Sequence, residues 1–415
     1  MNVDLTRTFT ELVVELSRAL DLYDGRFLGH AWRVGAVSFH VAEDLMPGGA
    51  ADVFVAGLLH DVGAAGLARP VVDFESENEL RSNRLGFSHP TNGFEIVSFV
   101  PALARAAEFI LHHHEWADGG GYPRGLGALD IPLGAQIIRA ADRFDWTLRK
   151  RTGADLDEAI ACMDRASGAE VTSQVFDALG RALGRNGNFS RVADLRELER
   201  EVRRIKERLN GPAPLPGTDA IGAALDMFGR LVDSKHKFMA GHSGRVAALA
   251  LAVAVTLGLD HDAITRTKWA ALVHDVGRTS VPETVFGKTG LLSVNEWRLV
   301  RAHPGAGEEM LARVRGFEEI KTIVGAHHER FDGGGYPNGI TGDRIPIEAR
   351  IIAVADVFDA LTHKRPYRRP YNQVQALDMI RRDAGIEFDP DVVAVAVPVI
   401  EVFARSGGAL KTVTS

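Results

Sequence analysis

His327-His328-Glu329-Arg330-Phe331-Asp332-Gly333-Gly334-Gly335-Tyr336-Pro337 joins the end of a helix to a stiff, glycine-rich turn. Ahead of it Ile320, Ile323, Val324 and His327 recur at three- and four-residue steps, so the spacing predicts an amphipathic helix whose last turn carries both histidines. Three glycines and a proline then stop the helix and expose the backbone of a tight loop. Histidines at a helix C-terminus can simply complement its dipole. Two adjacent imidazoles with a carboxylate and a rigid turn also make a corner for a metal ion and an anion.

The same pattern occurs twice. His30-Ala31-Trp32-Arg33-Val34 matches His242-Ser243-Gly244-Arg245-Val246, and His60-Asp61-Val62-Gly63 matches His274-Asp275-Val276-Gly277. His89-Pro90 matches His303-Pro304, and His113-His114-Glu115 matches His327-His328-Glu329. Asp118 to Pro123 matches Asp332 to Pro337, and Ala141-Asp142-Arg143-Phe144-Asp145 answers Ala355-Asp356-Val357-Phe358-Asp359. The spacing is 212 residues for the first histidine and 214 for the other anchors, which identifies a tandem duplication.

The chain has 415 residues, 46% of them hydrophobic and 25% charged, a soluble composition long enough for two domains. A formal net charge of −7 argues against binding a nucleic-acid polymer, so phosphate must be met by a local basic cluster. Cys162 is the lone cysteine, which excludes an intrachain disulfide and a thiolate metal cage. Met1 to Thr10 lack a signal pattern and no apolar run reaches membrane-spanning length, so a cytoplasmic protein with no membrane partner is expected.

Helical periodicity in Phe9–Leu20, Val246–Leu259 and Ile347–Leu361, with little strand alternation, predicts an all-α fold. Residues 1–183 and 218–415 are expected to be the two copies, closed by the amphipathic stretches Leu156–Leu183 and Val374–Phe403. Residues 184–217 form a charged helical linker, broken by Gly211-Pro212-Ala213-Pro214-Leu215-Pro216-Gly217. Leu195, Leu198, Val202, Ile205 and Leu209 make about two heptads, which suit either a helix docked on one domain or a dimerising helix, hence a homodimer as a candidate assembly.

The candidate ligands of the second copy are His242, His274, Asp275, His303, His327, His328 and Asp356. Imidazoles and carboxylates without thiols suit iron, manganese and similar divalent ions. Seven donors exceed the needs of one tetrahedral ion. Two ions about 3.5–4 Å apart can lower the pKa of a bridging water and absorb charge on an attacked phosphoryl oxygen. Any one of these residues alone reads more simply as a cap or a satisfied core histidine; their joint occurrence, twice, favours the metal reading.

With Gly339-Ile340-Thr341-Gly342 and Ile345-Pro346 following the Gly-Tyr-Pro loop, residues 240–367 resemble the HD-GYP family of the HD phosphohydrolase superfamily. The resemblance implies two tandem HD-type helical domains and hydrolysis of cyclic di-GMP to pGpG, with a second cut giving GMP. It implies one ion held by His242, His274, Asp275 and Asp356 and another by His303, His327 and His328, with Asp275 bridging as the catalytic carboxylate. It further implies phosphate contacts at Arg278, Tyr336, Arg365 and Arg368, arginine being a forked donor for phosphate. Arg278 replaces the lysine usual after His-Asp-x-Gly, and Phe238 stands where a glutamate associated with a third ion would be, so two ions are expected.

The first copy keeps a full ligand set, His30, His60, Asp61, His89, His113, His114 and Asp142, with an eroded phosphate side. Ala64 replaces Arg278, residues 69–89 lack the Pro282–Leu292 pattern, and no Arg-Pro-Tyr-Arg follows Asp145, although Lys150 and Arg151 offer charge. A regulatory or weakly active first domain is expected. His112, facing Ala326, reads as a surface residue; His40, His236, His261 and His363 read as structural or exposed. The competing functions are hydrolysis of another cyclic dinucleotide such as cyclic GMP-AMP or of a phosphomonoester, a di-iron oxygenase, and a non-catalytic nucleotide-binding sensor or scaffold.

Overall fold

The computed structural model describes residues 5–22, 29–65, 67, 71, 74, 76–150, 155–163, 167–185, 187–209, 218–234, 237–288, 290–365 and 368–405. Among them the ordered elements are helices and short 3-10 turns, with isolated bridge pairs and no sheet, so the fold is all-α. The chain divides into two compact units at Ala223/Ala224.

The first unit runs α1 (Leu5–Leu22), α2 (His30–Leu45), α3 (Ala50–Leu59), a 3-10 turn (Val62–Ala64), α4 (Glu77–Ser82), α5 (Arg84–Ser98) and α6 (Ala104–His112). It continues with α7 (Leu133–Lys150), α8 (Leu156–Met163), α9 (Ser173–Gly184), α10 (Asn188–Ala193) and α11 (Leu195–Leu209). Helix α2 is its axis, packed on α3, α7 and α9. Helices α10 and α11 lie in this unit: Leu198, Val202 and Ile205 are buried, and α11 packs on α1 and α2. The middle of the apolar stripe of α11 is thus covered by its own chain, while Leu195 at its start stays exposed. The proline-rich break at 211–217 lies outside the described residues.

The division between the units falls within α12 (Thr218–Ser234). Beyond it come α13 (His242–Thr256), α14 (His261–Val273), a 3-10 turn (Val276–Ser280), α15 (Glu283–Phe286), α16 (Val294–Arg301), α17 (His303–Leu311) and α18 (Glu318–Ala326). The unit closes with α19 (Ile347–Thr362), α20 (Gln373–Arg382) and α21 (Pro390–Arg405). Here α13 is the axis, packed on α14, α19 and α21 through Val246, Leu249, Ala250 and Val253. Each of the buried valines and Leu249 contributes about 1.5–3 kcal/mol.

Local sequence explains where the site-bearing helices start and stop. Gly29 and Gly241 adopt φ of 93° and 71°, left-handed values that glycine tolerates, and they set His30 and His242 at the first positions of α2 and α13. Asp260 caps α14 through Ala263 N, and Ser293 and Glu296 form a capping box on α16. Helix α18 ends at Ala326, earlier than its periodicity predicts: Glu329 N donates to Ala326 O, so His327 is the C-cap and His328 lies beyond it. His112, expected at the surface, is buried, and its counterpart Ala326 is buried too, so the position faces inward in both copies.

Candidate metal centre

The second His-Asp motif is placed by its glycine. A Cβ on Gly277 would lie 1.9 Å from His303 O, and one on Gly63 would lie 2.1 Å from His89 O. Only glycine lets the 3-10 turn after Asp275 seat against α17, which brings Asp275 beside His303. The Gly-Tyr-Pro loop is closed similarly. A Cβ on Gly335 would meet Arg330 N at 2.3 Å, Tyr336 N donates to His328 O, and buried Glu329 accepts from Asn338 N (2.7 Å) and Ile340 N (3.2 Å). Glu115 does the same with Arg124 N and Leu126 N, so the third residue of His-His-Glu holds the loop.

All seven second-copy candidates converge. His242, His274 and Asp356 form one donor triad, and His303, His327 and His328 another, with donor atoms within 4.8 Å of one another in each. Asp275 lies between them. Its Oδ2 is 3.4 Å from His274 Nε2 and 3.6 Å from His242 Nε2, while Oδ1 is 3.3 Å from His303 Nε2 and 3.9 Å from His327 Nε2. The first copy repeats this. Asp61 Oδ2 lies 3.5 Å from His30 and 3.4 Å from His60, and Oδ1 lies 3.3 Å from His89 and 3.8 Å from His113. His30, His60 and Asp142 group on one side; Asp61, His89, His113 and His114 group on the other.

The ring orientations fit metal binding. Nδ1 of His274, His303 and His327 lies 2.8, 2.7 and 2.6 Å from the carbonyls of Ala271, Val300 and Val324, which leaves each Nε2 facing the centre. Buried His242 Nε2, His274 Nε2 and both Asp275 oxygens have no hydrogen-bond partner of good geometry. Buried polar atoms without such partners are costly, and a cation among them would satisfy those that the charge of Arg278, 2.6 Å from Asp275 Oδ2, leaves unmet. Burial by itself would raise the Asp275 carboxyl, but Arg278 and His274 hold it well below the usual range. Burial and His303 push His328 down to about 3, keeping its lone pair available. Burial opposes protonation of His242, yet Asp275, Asp356 and Asp359 raise it to about 11, so this corner demands positive charge.

Asp359 and Asp145 had no assigned role from sequence, and they back the first histidines. His242 Nδ1 is 2.7 Å from Asp359 Oδ2, and His30 Nδ1 is 2.7 Å from Asp145 Oδ2. Arg245 donates to Asp359, and Arg33 to Asp145. The signal was in the repeat, where His-x-x-Arg and the second aspartate of α7 and α19 both recur.

The phosphate candidates separate. Arg278 Nη1 lies 2.6 Å from Asp275 Oδ2 and 3.8 Å from Met239 Sδ, with its guanidinium over Phe286. Arg365 touches the same sulfur and lies over Phe238, so the two arginines meet at Met239, beside Asp275. Arg368 is turned elsewhere, donating to Ala360 O and lying over Tyr371; Pro366 and Tyr367 lie outside the described residues. Tyr336 sits 5.0 Å from the His328 ring, with its hydroxyl pushed up to about 12 by burial. Over it lies Arg301, exposed and not singled out by its motif. In the first copy Phe87 replaces Arg301 and stacks on Tyr122, which is fully buried. Lys150 is exposed over Trp146, and Arg151 lies outside the described residues.

Of the remaining histidines, His40 is buried beside Glu201, His261 is exposed, and His363 is half-buried against Asp359. His236 lies outside the described residues. No described helix is long and apolar enough to cross a membrane.

The profile of the family described as "HD domain" matches residues 15–174 and 226–392. The 3'3'-cGAMP-specific phosphodiesterase 3 of Vibrio cholerae is 29% identical over 94% of this chain and 94% of its own length. The cyclic di-GMP phosphodiesterase response regulator RpfG of Xanthomonas campestris pv. campestris is 40% identical over 35% of this chain and 39% of its own. The crystal structure of a cyclic GMP-AMP specific phosphodiesterase of V. cholerae, V-cGAP3, superposes with a TM-score of 0.62 at 24% identity, covering 95% of this chain and 98% of that one, and so shares the fold. The two profile matches coincide with the two donor clusters: the chain belongs to the HD domain family, as a tandem HD-GYP protein.

Proposed function

We propose that the second copy is a metal-dependent phosphodiesterase that opens a cyclic dinucleotide, with cyclic di-GMP giving pGpG, or GMP where a second cut follows. The observation that carries this reading is Asp275, set between two donor triads and flanked by Arg278 and Arg365. Two divalent ions held there, iron or manganese by the nitrogen-and-oxygen donor set, would supply a water of lowered pKa and charge stabilisation at phosphorus. The chain's own part is to orient: Asp275 spans the triads, Asp359 fixes His242, and Arg278 and Arg365 present forked donors to phosphate oxygens. Tyr336, with Arg301 over its ring, offers a further contact beside His328, and Arg368 would have to leave Ala360 O to reach the substrate.

A second reading, 3'3'-cGAMP as the preferred substrate, is supported by the V. cholerae relatives that match nearly the full chain and are named for it. We assign residues 1–183 a regulatory metal-binding role, with the 184–217 segment, whose α11 packs on the first unit, as the linker. The place of action we infer is the cytoplasm. Metal-loaded protein should hydrolyse cyclic di-GMP or 3'3'-cGAMP with Fe(II) or Mn(II), and relative turnover of the two separates the readings. Asp275→Ala should abolish turnover and Asp61→Ala should spare it. Tight nucleotide binding without product would instead make the protein a sensor, and loss from Asp61→Ala alone would reverse the assignment of the copies.

A further inference from the structure

The two centres differ in one charge cluster built around a buried arginine. Arg139, on α7 and 3% exposed, occupies the position of Ala353 in the second copy. Its Nη2 donates to Glu77 and, at 2.5 Å, to Glu170, and its Nη1 lies 3.2 Å from His114 Nδ1. Glu77, on α4, places Oε1 3.0 Å from the same nitrogen. Among the described residues the second copy has nothing comparable. Leu291, in the place of Glu77, is fully exposed, and Glu387, in the place of Glu170, faces Arg330. Among the described residues, no carboxylate pairs with His328, the counterpart of His114.

Burying the ionised Arg139 costs several kcal/mol unless geometry repays it, and the half-buried Glu77 and Glu170 supply that pairing. Contact with His114 gives the cluster a function. Nδ1 can donate to Glu77 or accept from Arg139, and only the first leaves the Nε2 lone pair free. That Nε2 is buried, has no partner, and belongs to a residue grouped with Asp61, His89 and His113. A carboxylate behind a ligating imidazole fixes its tautomer and raises its basicity. The first copy then has two carboxylate-backed histidines, His30 by Asp145 and His114 by Glu77, against one in the second, His242 by Asp359.

One charge difference acts in the same direction. Arg139, which also lies 3.8 Å from Asp142, and Arg143, 3.9 Å from Glu170, balance Glu77 and Glu170, so this cluster adds no net charge beside the first centre. Arg278 puts a positive charge 2.6 Å from Asp275 in the second, where the first copy has Ala64. Of the two aspartates set between the donor groups, only Asp275 has an arginine against it among the described residues, which counts against a cation at the second centre.

We propose that Glu77, pinned by Arg139, is the orienting carboxylate of His114 and makes the first copy the firmer metal-retaining site of the two. The proposal rests on the reading that the first copy's donors hold divalent metal.

The test uses the full chain loaded with Mn(II) and dialysed against graded chelator, with bound metal counted by mass spectrometry. Metal should leave in two phases, the later one disappearing in His60→Ala/Asp61→Ala and persisting in His274→Ala/Asp275→Ala. Glu77→Gln, which keeps the side chain's shape, should move the later phase alone to a free-metal concentration roughly 10- to 100-fold higher. Should either double variant misfold, the two-phase curve of the otherwise unsubstituted chain with and without Glu77→Gln still reports. Unchanged retention in Glu77→Gln, or firmer retention by the second centre, overturns the inference. Absence of any metal attributable to the first copy overturns it together with the reading beneath it.

Discussion

Asp359→Asn should weaken metal binding at the His242–His274–Asp356 triad without removing a ligand. Asp359 is 2% exposed and takes contacts from His242 Nδ1 at 2.7 Å, Arg245 Nε at 2.6 Å, Arg245 Nη2 at 3.0 Å and His363 Nδ1 at 3.2 Å. An amide keeps the volume and loses the charge. The Arg245 side chain is 33% exposed, so water can replace its partner; His242 is fully buried and has no such recourse. The loss therefore falls on one charge-assisted bond to His242, about 1.5–3 kcal/mol. At 1.4 kcal/mol per factor of ten, that is roughly 10- to 100-fold in metal affinity, the range typical of residues behind metal ligands. Competition with a chromogenic chelator, with total metal counted in parallel, measures it. A drop in melting temperature with unchanged metal affinity would refute the reasoning, because Asp359 would then be only a structural anchor for Arg245.

Three further outcomes are expected. Gly277→Ala should cost at least about 1–3 kcal/mol, read by thermal denaturation, and lower the metal content of the second copy, because the added methyl group has only backbone to displace. Arg365→Ala should raise KM for the cyclic dinucleotide by about tenfold or more, whereas Arg368→Ala, engaged with Ala360 O, should change it less; equal effects would contradict the convergence of Arg278 and Arg365 on Met239. The Glu201 carboxyl is held down at about 2, chiefly by the His40 imidazole 3.2 Å away. A depressed carboxylate contributes stability that is fully present above its ordinary pKa, here 4.5, and is lost as pH falls towards 2. Glu201→Gln should thus lower the melting temperature at pH 7, and its gap to the wild type should shrink as pH drops from about 4.5 to 3.

Much of the centre was legible in the linear chain because a duplication repeats what the site needs. His-Asp-x-Gly, His-Pro, His-His-Glu and the Asp-Gly-Gly-Gly-Tyr-Pro loop recur at one spacing, and helical periodicity is a local property, so the ligand types, the all-α class and two copies follow from order alone. Periodicity names the face of a helix and not what the face meets. Burial of His112 and of the apolar stripe of α11 was therefore decided by packing, as was the exact end of α18.

The same limit separates the two copies. Their ligand sets read alike, yet exposed Arg301 lies over Tyr336 while Phe87 stacks on buried Tyr122 with Arg81 over it, and Glu77 with Arg139 backs His114 while His328 has no such partner among the described residues. Asp359 meets His242 across 117 residues of chain. Sequence spacing carries no information about a contact at that separation. Residue identity set which atoms can bind a metal; tertiary packing alone set which nitrogen faces the centre and which charge stands behind it.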